Sequence, residues 1–562
     1  MSVLIECVPN FSEGRDSAVL NAIQCAVEAV TGVQLLDVDP GVATNRTVFT
    51  FVGAPEAVKE AAFQAIACAQ QLIDMRSHTG EHPRMGATDV CPFVPVQGCT
   101  LEECAQWARE LGERVGNELG IPVFLYEAAA AAPHRKRLPD LRKGEYEALE
   151  GKLSDPNWGP DVGPTEWSEA VAKSGGTVIG ARPFLIAWNI NLSTNNQRKA
   201  DKIAAQLREK GIYARDERGE LSKGEDGKPY RVPGLFKSVN AIGWIIEEYG
   251  CAQISVNLLD YTVSSIHAVY DAARRLALEE GVVVTGSELV GLIPQQALID
   301  AGLHYLHQAG ESTAKPISEI VDVAIRALGL SDLKPFDADA SIVERQIQQD
   351  GPLVSLTTRG FSELLSSDAP APGGGSVAAL CGSLSVGLTA MVAQLSTKIT
   401  KNSWPFGQPR PADWEAFDTA GHRAQQLRER FLHAIDADTA AFDALMAAGR
   451  LPKGSPERFQ AMRAAMRQAI ETPLSVLEMS IEAMQLAEVA MTGNPNARSD
   501  AGVAVSTARA CAEGAWMNVR INLSGMRDQA RKAQYAEKAD SLLADAKDLS
   551  GRLLSEIEEF LK

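Results

Sequence analysis

The sequence lacks an excess of basic residues, closely paired cysteines and a leader-like start. Its 562 residues carry a formal net charge of −18, whereas nucleic-acid or anionic-membrane partners require a concentrated basic surface. Local arginines and lysines must therefore bind any anionic substrate. The nine cysteines are scattered without a Cys-x-x-Cys pair, which is typical of reduced thiols in a cytosolic protein. Residues 1–10 include Glu6 and predict a strand rather than a signal peptide.

Charged residues are also absent from positions 369–397, a stretch long enough to span a bilayer. It opens with prolines and glycines and continues mainly in alanine, glycine and serine, with few large aliphatic side chains. This composition predicts a buried helix packed closely against other helices rather than a membrane span.

The sequence pattern changes along the chain and indicates several domains. Short β-rich runs alternate with amphipathic helices over residues 1–182 and again over 183–328, so we expect two α/β (α+β) subdomains there. Residues 329–352, with prolines and aspartates, are the expected linker. Over residues 353–562, long Ala- and Leu-rich periodic segments predict an all-α helical bundle. The predicted fold is multi-domain, with an α/β N-terminal half and an all-α C-terminal half.

Residues 78–89 concentrate two histidines, an arginine and two carboxylates between glycines and a proline. No regular element can run through such a segment, and functional side chains on an irregular loop usually mark a site. The spacing His-x-x-Glu-His also occurs in zinc hydrolases, but there a helix places both imidazoles on one face. Pro83 pushes His82 towards extended geometry. We favour a metal-free general acid–base role, because histidine exchanges protons at a pKa of about 6.5. His78 could instead fill a hydrogen-bonded loop position.

A carboxylate interrupts the apolar face of the helix predicted over residues 412–448. Apolar residues recur in steps of three and four from Leu427 to Leu445, and Asp438 fills the one gap. A buried carboxylate must be paired, hydrogen-bonded or protonated, and such residues are often catalytic acids with a raised pKa. A hydrogen bond between helices is the structural alternative. Asp436 points about 160° away and is expected to be a solvated charge.

Two glycine-rich segments offer backbone N–H groups to a ligand. Residues 163–182 lead into a strand and would let a flat or anionic ligand approach the backbone, although a plain interdomain loop is an alternative. Residues 373–376 open a helix and present its positive dipole end. Lys398, Lys401 and Arg498 could supply counter-charge there, although each alone is typical of a surface residue.

These segments belong to longer motifs. In the first half they are Glu6-Cys-Val-Pro-Asn-Phe-Ser-Glu-Gly14, Asp37-Val-Asp39 with Thr44-Asn-Arg-Thr47, and Gly80-Glu-His-Pro-Arg-Met-Gly86 with Asp89-Val-Cys-Pro-Phe93. In the second half they are Pro372-Gly-Gly-Gly-Ser-Val-Ala-Ala379 and Asp436-Ala-Asp438. With these motifs nearly the whole chain resembles the formimidoyltransferase-cyclodeaminase family, bifunctional folate enzymes of histidine breakdown. Departures are confined to residues 213–232, the linker and residues 165–173.

The resemblance implies transfer of a formimino group from N-formimino-L-glutamate to N5 of tetrahydrofolate, the co-substrate. Ring closure to 5,10-methenyltetrahydrofolate with loss of ammonia would follow. His82 matches the catalytic histidine of the family, and Asp438 matches its residue for ring closure. We expect Asp39 to orient the His82 ring, and Arg46 or Arg84 to bind a substrate carboxylate.

The resemblance also implies substrate contacts, partners and an assembly. It implies a ring-shaped homo-octamer acting on formiminoglutamate and (poly)glutamylated tetrahydrofolate, without a metal, a nucleic acid or a membrane. The competing functions are a non-catalytic folate-binding scaffold and a zinc hydrolase at His78 and His82. The expected folate contacts lie in the two glycine-rich segments: Gly163, Pro164, Gly175, Gly176, Gly180, Arg182, Gly373, Gly374, Gly375 and Ser376.

Overall fold

The chain forms two compact units. The computed structural model describes residues 3–402 and 412–562, except 43, 81, 217, 225–226, 247–248 and 348–350 and the side chains of 399–402. One unit comprises Met1–Ala301 and Ile325–Gln348, and the other comprises Gly302–Ala324 and Gln349–Lys562. The first is α/β and the second is helical, so the predicted fold class is confirmed. The domain boundaries at 182, 328 and 352 stay predictions.

The first part of the α/β unit is built on a seven-stranded mixed sheet. Its strand order is β3–β4–β2–β5–β7–β6, and β1 also pairs with β4 and β5. The strands predicted at residues 3–8 and 47–52 and the helix predicted at 54–74 are confirmed. The elements are β1 Leu4–Cys7, β2 Asn10–Phe11, α1 Ser17–Glu28, β3 Val33–Gly41, β4 Arg46–Gly53, α2 Pro55–Leu72, β5 Thr88–Gln97, α3 Leu101–Arg114, β6 Val123–Glu127, α4 Leu138–Leu141, α5 Leu149–Leu153, α6 Glu169–Ser174 and β7 Thr177–Ala181.

The two faces of this sheet differ in polarity. Alternate strand residues such as Phe51 and Phe93 are fully buried in one core with α1, α2 and α3. Burying one such side chain stabilises the fold by about 1.5–3 kcal/mol, so this face fixes the strand register. On the other face, Asn10 and Asp39 both lie opposite Val48 in the antiparallel register. Directly opposed residues point to the same face, so polar side chains line this part of the sheet.

The second part of the α/β unit contains an antiparallel sheet in the order β11–β12–β8–β13. The fully buried Trp188 lies 5.7 Å from Tyr270 between ring centroids. Strands predicted at 183–192 and 252–260 are confirmed. Along the chain the elements are β8 Ile186–Leu192, α7 Gln197–Leu207, β9 Ile212–Tyr213, β10 Arg231–Val232, β11 Val239–Ile246, β12 Cys251–Leu258, α8 Ile266–Glu279, β13 Val284–Val290, α9 Gln295–Gln308, α10 Ile317–Ala327, α11 Ala338–Ser341 and α12 Val343–Ile347. The boundary of the α/β unit falls within α9, after Ala301, and within α10, before Ile325.

The expected linker is partly structured. Its helices α11 and α12 are bonded to the α/β unit: the Val343 N–H donates to the Ile293 carbonyl at 3.1 Å, and the Glu344 carboxylate accepts the Gln295 N–H at 2.7 Å. Residues 338–347 therefore belong to the folded α/β unit.

Small residues let one helix lie at the centre of the helical unit. At Gly382 of α14, a methyl group would overlap the Phe431 ring. Ser385 Oγ donates to the Ala504 carbonyl at 2.7 Å, which satisfies a buried hydroxyl. The described residues after 360 contain no strand, as predicted. The helices are α13 Thr358–Leu365, α14 Gly374–Asn402, α15 Ala412–Arg450, α16 Pro456–Met491, α17 Arg498–Leu523 and α18 Gln529–Leu561.

The charge-free stretch forms α14 and is packed in the bundle, as predicted. Its segment Gly374–Lys398 is long and apolar enough to cross a membrane by length and composition. However, 61% of its most apolar stretch is buried within the protein. Helix α14 packs against α15, α16 and α17, so its composition is explained by close helix packing.

Asp436 is not the solvated charge that the sequence predicts. It is half-buried on α15, and its carboxylate accepts the N–H groups of Leu353 at 2.8 Å and Val354 at 3.3 Å. The prediction was wrong because the partners of Asp436 come from residues 353 and 354, outside the helix whose periodicity placed Asp436 on a solvated face. Asp436 therefore anchors the start of the helical bundle.

Candidate active sites

The loop that carries the two histidines is irregular in its described residues, as predicted. The loop is held in place by close backbone contacts at glycines, where a side chain would not fit. A methyl group at Gly80 would overlap the Thr44 carbonyl oxygen, and one at Gly86 would overlap the Gly176 carbonyl oxygen. The glycines therefore let loops from β3–β4, β5 and β7 meet at one place.

Asp89 forms the charged centre of this region. Its side chain is fully buried and accepts hydrogen bonds from Arg46, from Arg142 at 2.7 Å and from the Met85 N–H at 2.9 Å. The Arg46 Nε also donates to Asn10 Oδ1 at 3.1 Å. Two guanidinium groups share one carboxylate, which leaves one positive charge in excess. Such a surplus favours an anionic ligand.

His82 lies beside this charged group. Its Nδ1 lies 2.7 Å from the Pro83 carbonyl oxygen, and because a carbonyl only accepts, we assign the proton to Nδ1. Nε2 then carries the free lone pair. Burial lowers the pKa of His82 below its usual 6.5, and the positive charge of Arg46 adds to this shift. The hydrogen bond with Pro83 opposes it, Arg142 adds a smaller lowering and Asp89 a small opposing effect. A neutral imidazole with an available Nε2 is suited to accept a proton.

Asp39 contributes to the same face of the sheet without bonding to the ring. It is exposed on β3, two strands from Asn10 and thus roughly 10 Å away. Among the described residues, the hydrogen bond of the His82 ring is made with Pro83 rather than with Asp39. The orienting role of Asp39 stays a prediction.

His78 and Arg84 form a separate network. The Arg84 Nε donates to His78 Nδ1 at 3.3 Å, and His78 Nε2 then donates to the Asn45 carbonyl at 3.0 Å. The Arg84 guanidinium also meets Glu145 and Glu147. Residues 78–80 and 82–84 are not helical, so the two imidazoles do not share a helix face. Glu81, part of the zinc-hydrolase pattern, lies outside the described residues, and these contain no group of three metal-ligating side chains.

The first glycine-rich segment supports the sheet. Gly175 has φ +68°, and a methyl group there would overlap the Met85 carbonyl oxygen. A methyl group at Gly176 would press on the Phe124 ring, and one at Gly180 would overlap Tyr126. All three glycines are buried in or next to β7. Close backbone packing explains them, and their folate contacts stay predictions.

Three other predicted folate residues lie on either side of β7. Gly163 has φ +91° and closely approaches the Ile121 carbonyl oxygen, and Pro164 next to it is half-buried. Arg182 follows β7 and donates to the Pro183 carbonyl at 3.1 Å. Burial raises the pKa of Glu6 to about 7, and the positive charge of Arg182 opposes that rise. A contact of these residues with folate stays a prediction.

A second site lies in the helical unit, where α14 begins beside Asp438 of α15. A side chain at Gly375 would overlap the Asp438 carboxylate, so the carboxylate lies directly over the first turn of α14. Ser376 Oγ donates to the Ile435 carbonyl at 2.8 Å, which fixes the two helices together. Burial raises the pKa of Asp438, while hydrogen bonds with Ser376 oppose the shift. Asp438 therefore retains its proton to higher pH than an exposed aspartate.

The remaining glycines of this turn lie beside Asp438. Gly374 starts α14, and a side chain there would contact the Asn518 amide of α17. Gly373 precedes the helix, with open space around it. The structure thus brings the predicted residues 373–376 together with Asp438. Whether they bind folate stays a prediction.

The predicted counter-charges lie elsewhere. Lys398 is about 33 Å from Ser376 along the axis of α14. Arg498 begins α17 near the same far end, where Ser396 Oγ accepts the Asn494 N–H at 2.9 Å. Lys401 has its side chain outside the described residues. Lys398 and Arg498 cannot neutralise a ligand at Asp438, because α14 and α17 run antiparallel and place them at the opposite end.

Comparison with known proteins places the two sites in one family. Residues 4–182 match the model "Formiminotransferase domain, N-terminal subdomain", residues 187–348 match "Formiminotransferase domain" and residues 357–541 match "Formiminotransferase-cyclodeaminase". The formimidoyltransferase-cyclodeaminase of Rattus norvegicus is 41% identical over 573 residues, which cover 99% of each chain. The chain belongs to the formimidoyltransferase-cyclodeaminase family. The resemblance read from the sequence motifs is confirmed.

Two further relatives are each named for a single activity, and each matches only one part of this family member. The glutamate formimidoyltransferase of Streptococcus pyogenes serotype M1 is 40% identical over 306 residues, 54% of this chain and 94% of its own length. The methenyltetrahydrofolate cyclohydrolase of Methylorubrum extorquens is 34% identical over 208 residues, 36% of this chain and 96% of its own length.

Sequence reasoning missed several residues at these sites of the family member. Asp89 was quoted in a motif but given no role, and its burial beside two arginines was not predicted. Arg142 and Glu145 are more than 50 residues from the loop that they contact, so spacing carries no signal for them. Asn518 approaches the second site from α17. The helical periodicity of that segment does not indicate which other helix the residue faces.

Proposed function

We propose that this chain is a bifunctional folate enzyme of histidine breakdown. It transfers the formimino group of N-formimino-L-glutamate to N5 of tetrahydrofolate, and then cyclises the product to 5,10-methenyltetrahydrofolate with release of ammonia. The observation that carries this proposal is that each of the two units holds its own proton-transfer group. His82 is held as a neutral base, and Asp438 is held as a carboxyl with a raised pKa. Tetrahydrofolate serves as co-substrate of the transfer step, and its 5-formimino derivative is the substrate of ring closure.

In the transfer step, the N5 lone pair attacks the amidine carbon of the donor. His82 Nε2 takes the proton that N5 loses, and the imidazolium returns it to the glutamate nitrogen as the carbon–nitrogen bond breaks. The excess positive charge of Arg46 and Arg142 around Asp89 attracts the carboxylates of the donor and folate. Arg46 is the better candidate for a substrate carboxylate, since Arg84 is already bonded to two glutamates.

In the ring-closure step, N10 attacks the same carbon while the amino group leaves as ammonia. The Asp438 carboxyl donates the proton that the leaving nitrogen requires, and it can take back the proton lost by N10. Backbone N–H groups of the first turn of α14 lie beside this carboxyl and can bind an anionic group of the substrate. Each step is thus served by its own site.

A coupled assay tests the proposed function. The purified full chain is mixed with N-formimino-L-glutamate and tetrahydrofolate, and methenyltetrahydrofolate absorbance and free ammonia are followed together. Equal amounts of both products are expected. Folate binding without either product would support a non-catalytic scaffold, and activity that a chelator abolishes and zinc restores would support a zinc hydrolase.

Gly375→Ala tests the second site from the helix side. The added methyl group would overlap the Asp438 carboxylate, whereas alanine at a helix position does not disfavour α14 itself. We expect ring closure to fall by about 10- to 100-fold, because displacing a catalytic group by about 1 Å has effects of this size. Formiminotransfer should remain. Gly387→Ala is the matched control, since open space surrounds that glycine of the same helix; equal rates in the two variants would contradict the assignment.

We also propose that the chain is cytoplasmic and assembles with copies of itself, as a homo-octamer. All nine cysteines are free thiols, which supports the cytoplasmic location. Adjacent helices α14 and α17 expose large apolar side chains that include Leu384, Met391, Met517 and Ile521. These exposed apolar side chains are the candidates for a protein interface. A second copy is the proposed occupant, because the family resemblance implies a homo-octamer.

Replacing two of these side chains tests the assembly. Leu384→Glu with Met517→Glu should release smaller species, because each introduces a charge into an apolar interface. Light scattering after size exclusion measures the mass. Leu278→Glu is the control, because Leu278 on α8 of the other unit is more than half exposed, like Leu384 and Met517. An unchanged mass in the double variant, or a monomeric wild type, would contradict the proposed interface.

A further inference from the structure

Glu145 has a backbone conformation that side-chain-bearing residues rarely adopt. Its φ is +58° and its ψ is −155°, a combination that is essentially restricted to glycine. The residue before it is Gly144, at φ +82°. Strain of this kind persists only where surrounding contacts enforce it, and it is concentrated at functional sites.

The Glu145 N–H donates to the Arg142 carbonyl at 2.7 Å, and the other contacts that hold this segment lead to Arg84. The Glu145 carboxylate accepts from Arg84 Nη1 at 3.1 Å. The Glu147 carboxylate accepts from Nη1 at 2.8 Å and from Nη2 at 2.7 Å. Between them, the Tyr146 N–H donates to the Arg84 carbonyl at 2.8 Å. Three consecutive residues therefore hold both the main chain and the guanidinium of Arg84.

Arg84 in turn fixes the loop that carries His82. It lies two residues after His82, and the next residue, Met85, donates its N–H to Asp89. On the other side of the loop, the Arg84 Nε donates to His78. Arg84 thus joins the two sides of the loop, and its side chain is only 11% exposed. A displacement of Arg84 must move the His82 ring relative to the charged group around Asp89.

We propose that Glu145 is a positioning residue for formiminotransfer, which holds His82 in place through Arg84 at the cost of a strained backbone. This role rests on the proposed function of His82. Glycine at position 145 would relieve the strain but remove the carboxylate. At position 145, glycine should therefore raise the stability of the protein but lower its transferase activity. A purely structural residue would not affect the two properties in opposite directions.

Glu145→Gly is the decisive variant. Its thermal unfolding midpoint should equal or exceed that of the wild type, while kcat for formiminotransfer should fall by about 10- to 100-fold, because the base is displaced. The KM for N-formimino-L-glutamate should change little. Ring closure, measured by supplying 5-formiminotetrahydrofolate directly, should be unchanged, since Asp438 lies in the other unit. Glu145→Gln should restore part of kcat, because its amide oxygen still accepts from Arg84.

Ser238→Gly is the matched control for strain relief alone. Ser238 also has a positive φ, +54°, in the α/β unit, so this variant should become more stable at unchanged kcat. Transfer by Glu145→Gly within twofold of the wild type would overturn the proposal, as would a raised KM at unchanged kcat or a lowered unfolding midpoint. A wild type without any transferase activity would instead contradict the proposed function itself.

Discussion

His82→Ala is expected to lower formiminotransfer by about 10² to 10⁴-fold, the usual contribution of a general acid–base group. The reason is the single available nitrogen: Nδ1 is bonded to the Pro83 carbonyl, so Nε2 alone can exchange the proton. The measurement is the initial rate of formiminoglutamate consumption with excess tetrahydrofolate. Ring closure of added 5-formiminotetrahydrofolate should be unaffected.

His78→Ala separates the two histidines of the loop. His78 bonds to Arg84 and to the Asn45 carbonyl, so its loss should loosen the loop and reduce the rate less than the loss of His82. If His82→Ala retained transfer within about tenfold of the wild type, the acid–base assignment would be wrong. A larger loss in His78→Ala would assign the base to His78.

The pH dependence follows from the lowered pKa of His82. Burial, with Arg46 and Arg142, favours the neutral ring. A base is active when deprotonated, so kcat/KM for transfer should decline on the acid side, with the midpoint of the decline below pH 6.5. A decline centred above pH 6.5 would contradict this electrostatic account.

Local sequence signals predicted the parts of the fold that depend on neighbouring residues. Alternation predicted strands such as β1 and β4, and glycine and proline spacing predicted an irregular loop around His82. The gap in the apolar stripe of α15 predicted that Asp438 would be at least partly buried. Each of these features arises from periodicity or turn chemistry within about ten residues.

Pairings between distant segments were not predicted, because periodicity carries no information about which charges meet. Asp89 meets Arg142 across 53 residues, and Arg84 meets Glu147 across 63. Arg46 or Arg84 was expected to bind a substrate carboxylate; the Arg84 guanidinium is bonded to glutamates of the chain itself, and the expected role stays a prediction. Asp436 was misjudged for the same reason, since its partners at residues 353 and 354 lie outside its own helix. The strained Glu145 has no sequence signal except the preceding glycine.

Asp438→Asn is expected to abolish ammonia release, with a loss of about 10² to 10⁴-fold, while formiminotransfer remains. Asparagine has nearly the same shape and can keep hydrogen bonds at the first turn of α14, but it has no acidic proton to give to the leaving nitrogen. The intermediate 5-formiminotetrahydrofolate should therefore accumulate, which chromatography of the folate products can measure.

Asp443→Asn is the control for this substitution, because it replaces the same side chain by the same amide at an exposed position of the same helix. In the wild type, the raised pKa of Asp438 means that the protonated form is lost as pH rises through a value above that of an exposed aspartate. Ring closure should decline on that alkaline side, whereas transfer by His82 declines on the acid side. If the transfer rate declines on the acid side and the ring-closure rate on the alkaline side, the two steps use different groups. Simultaneous loss of both activities in Asp438→Asn would contradict independent sites.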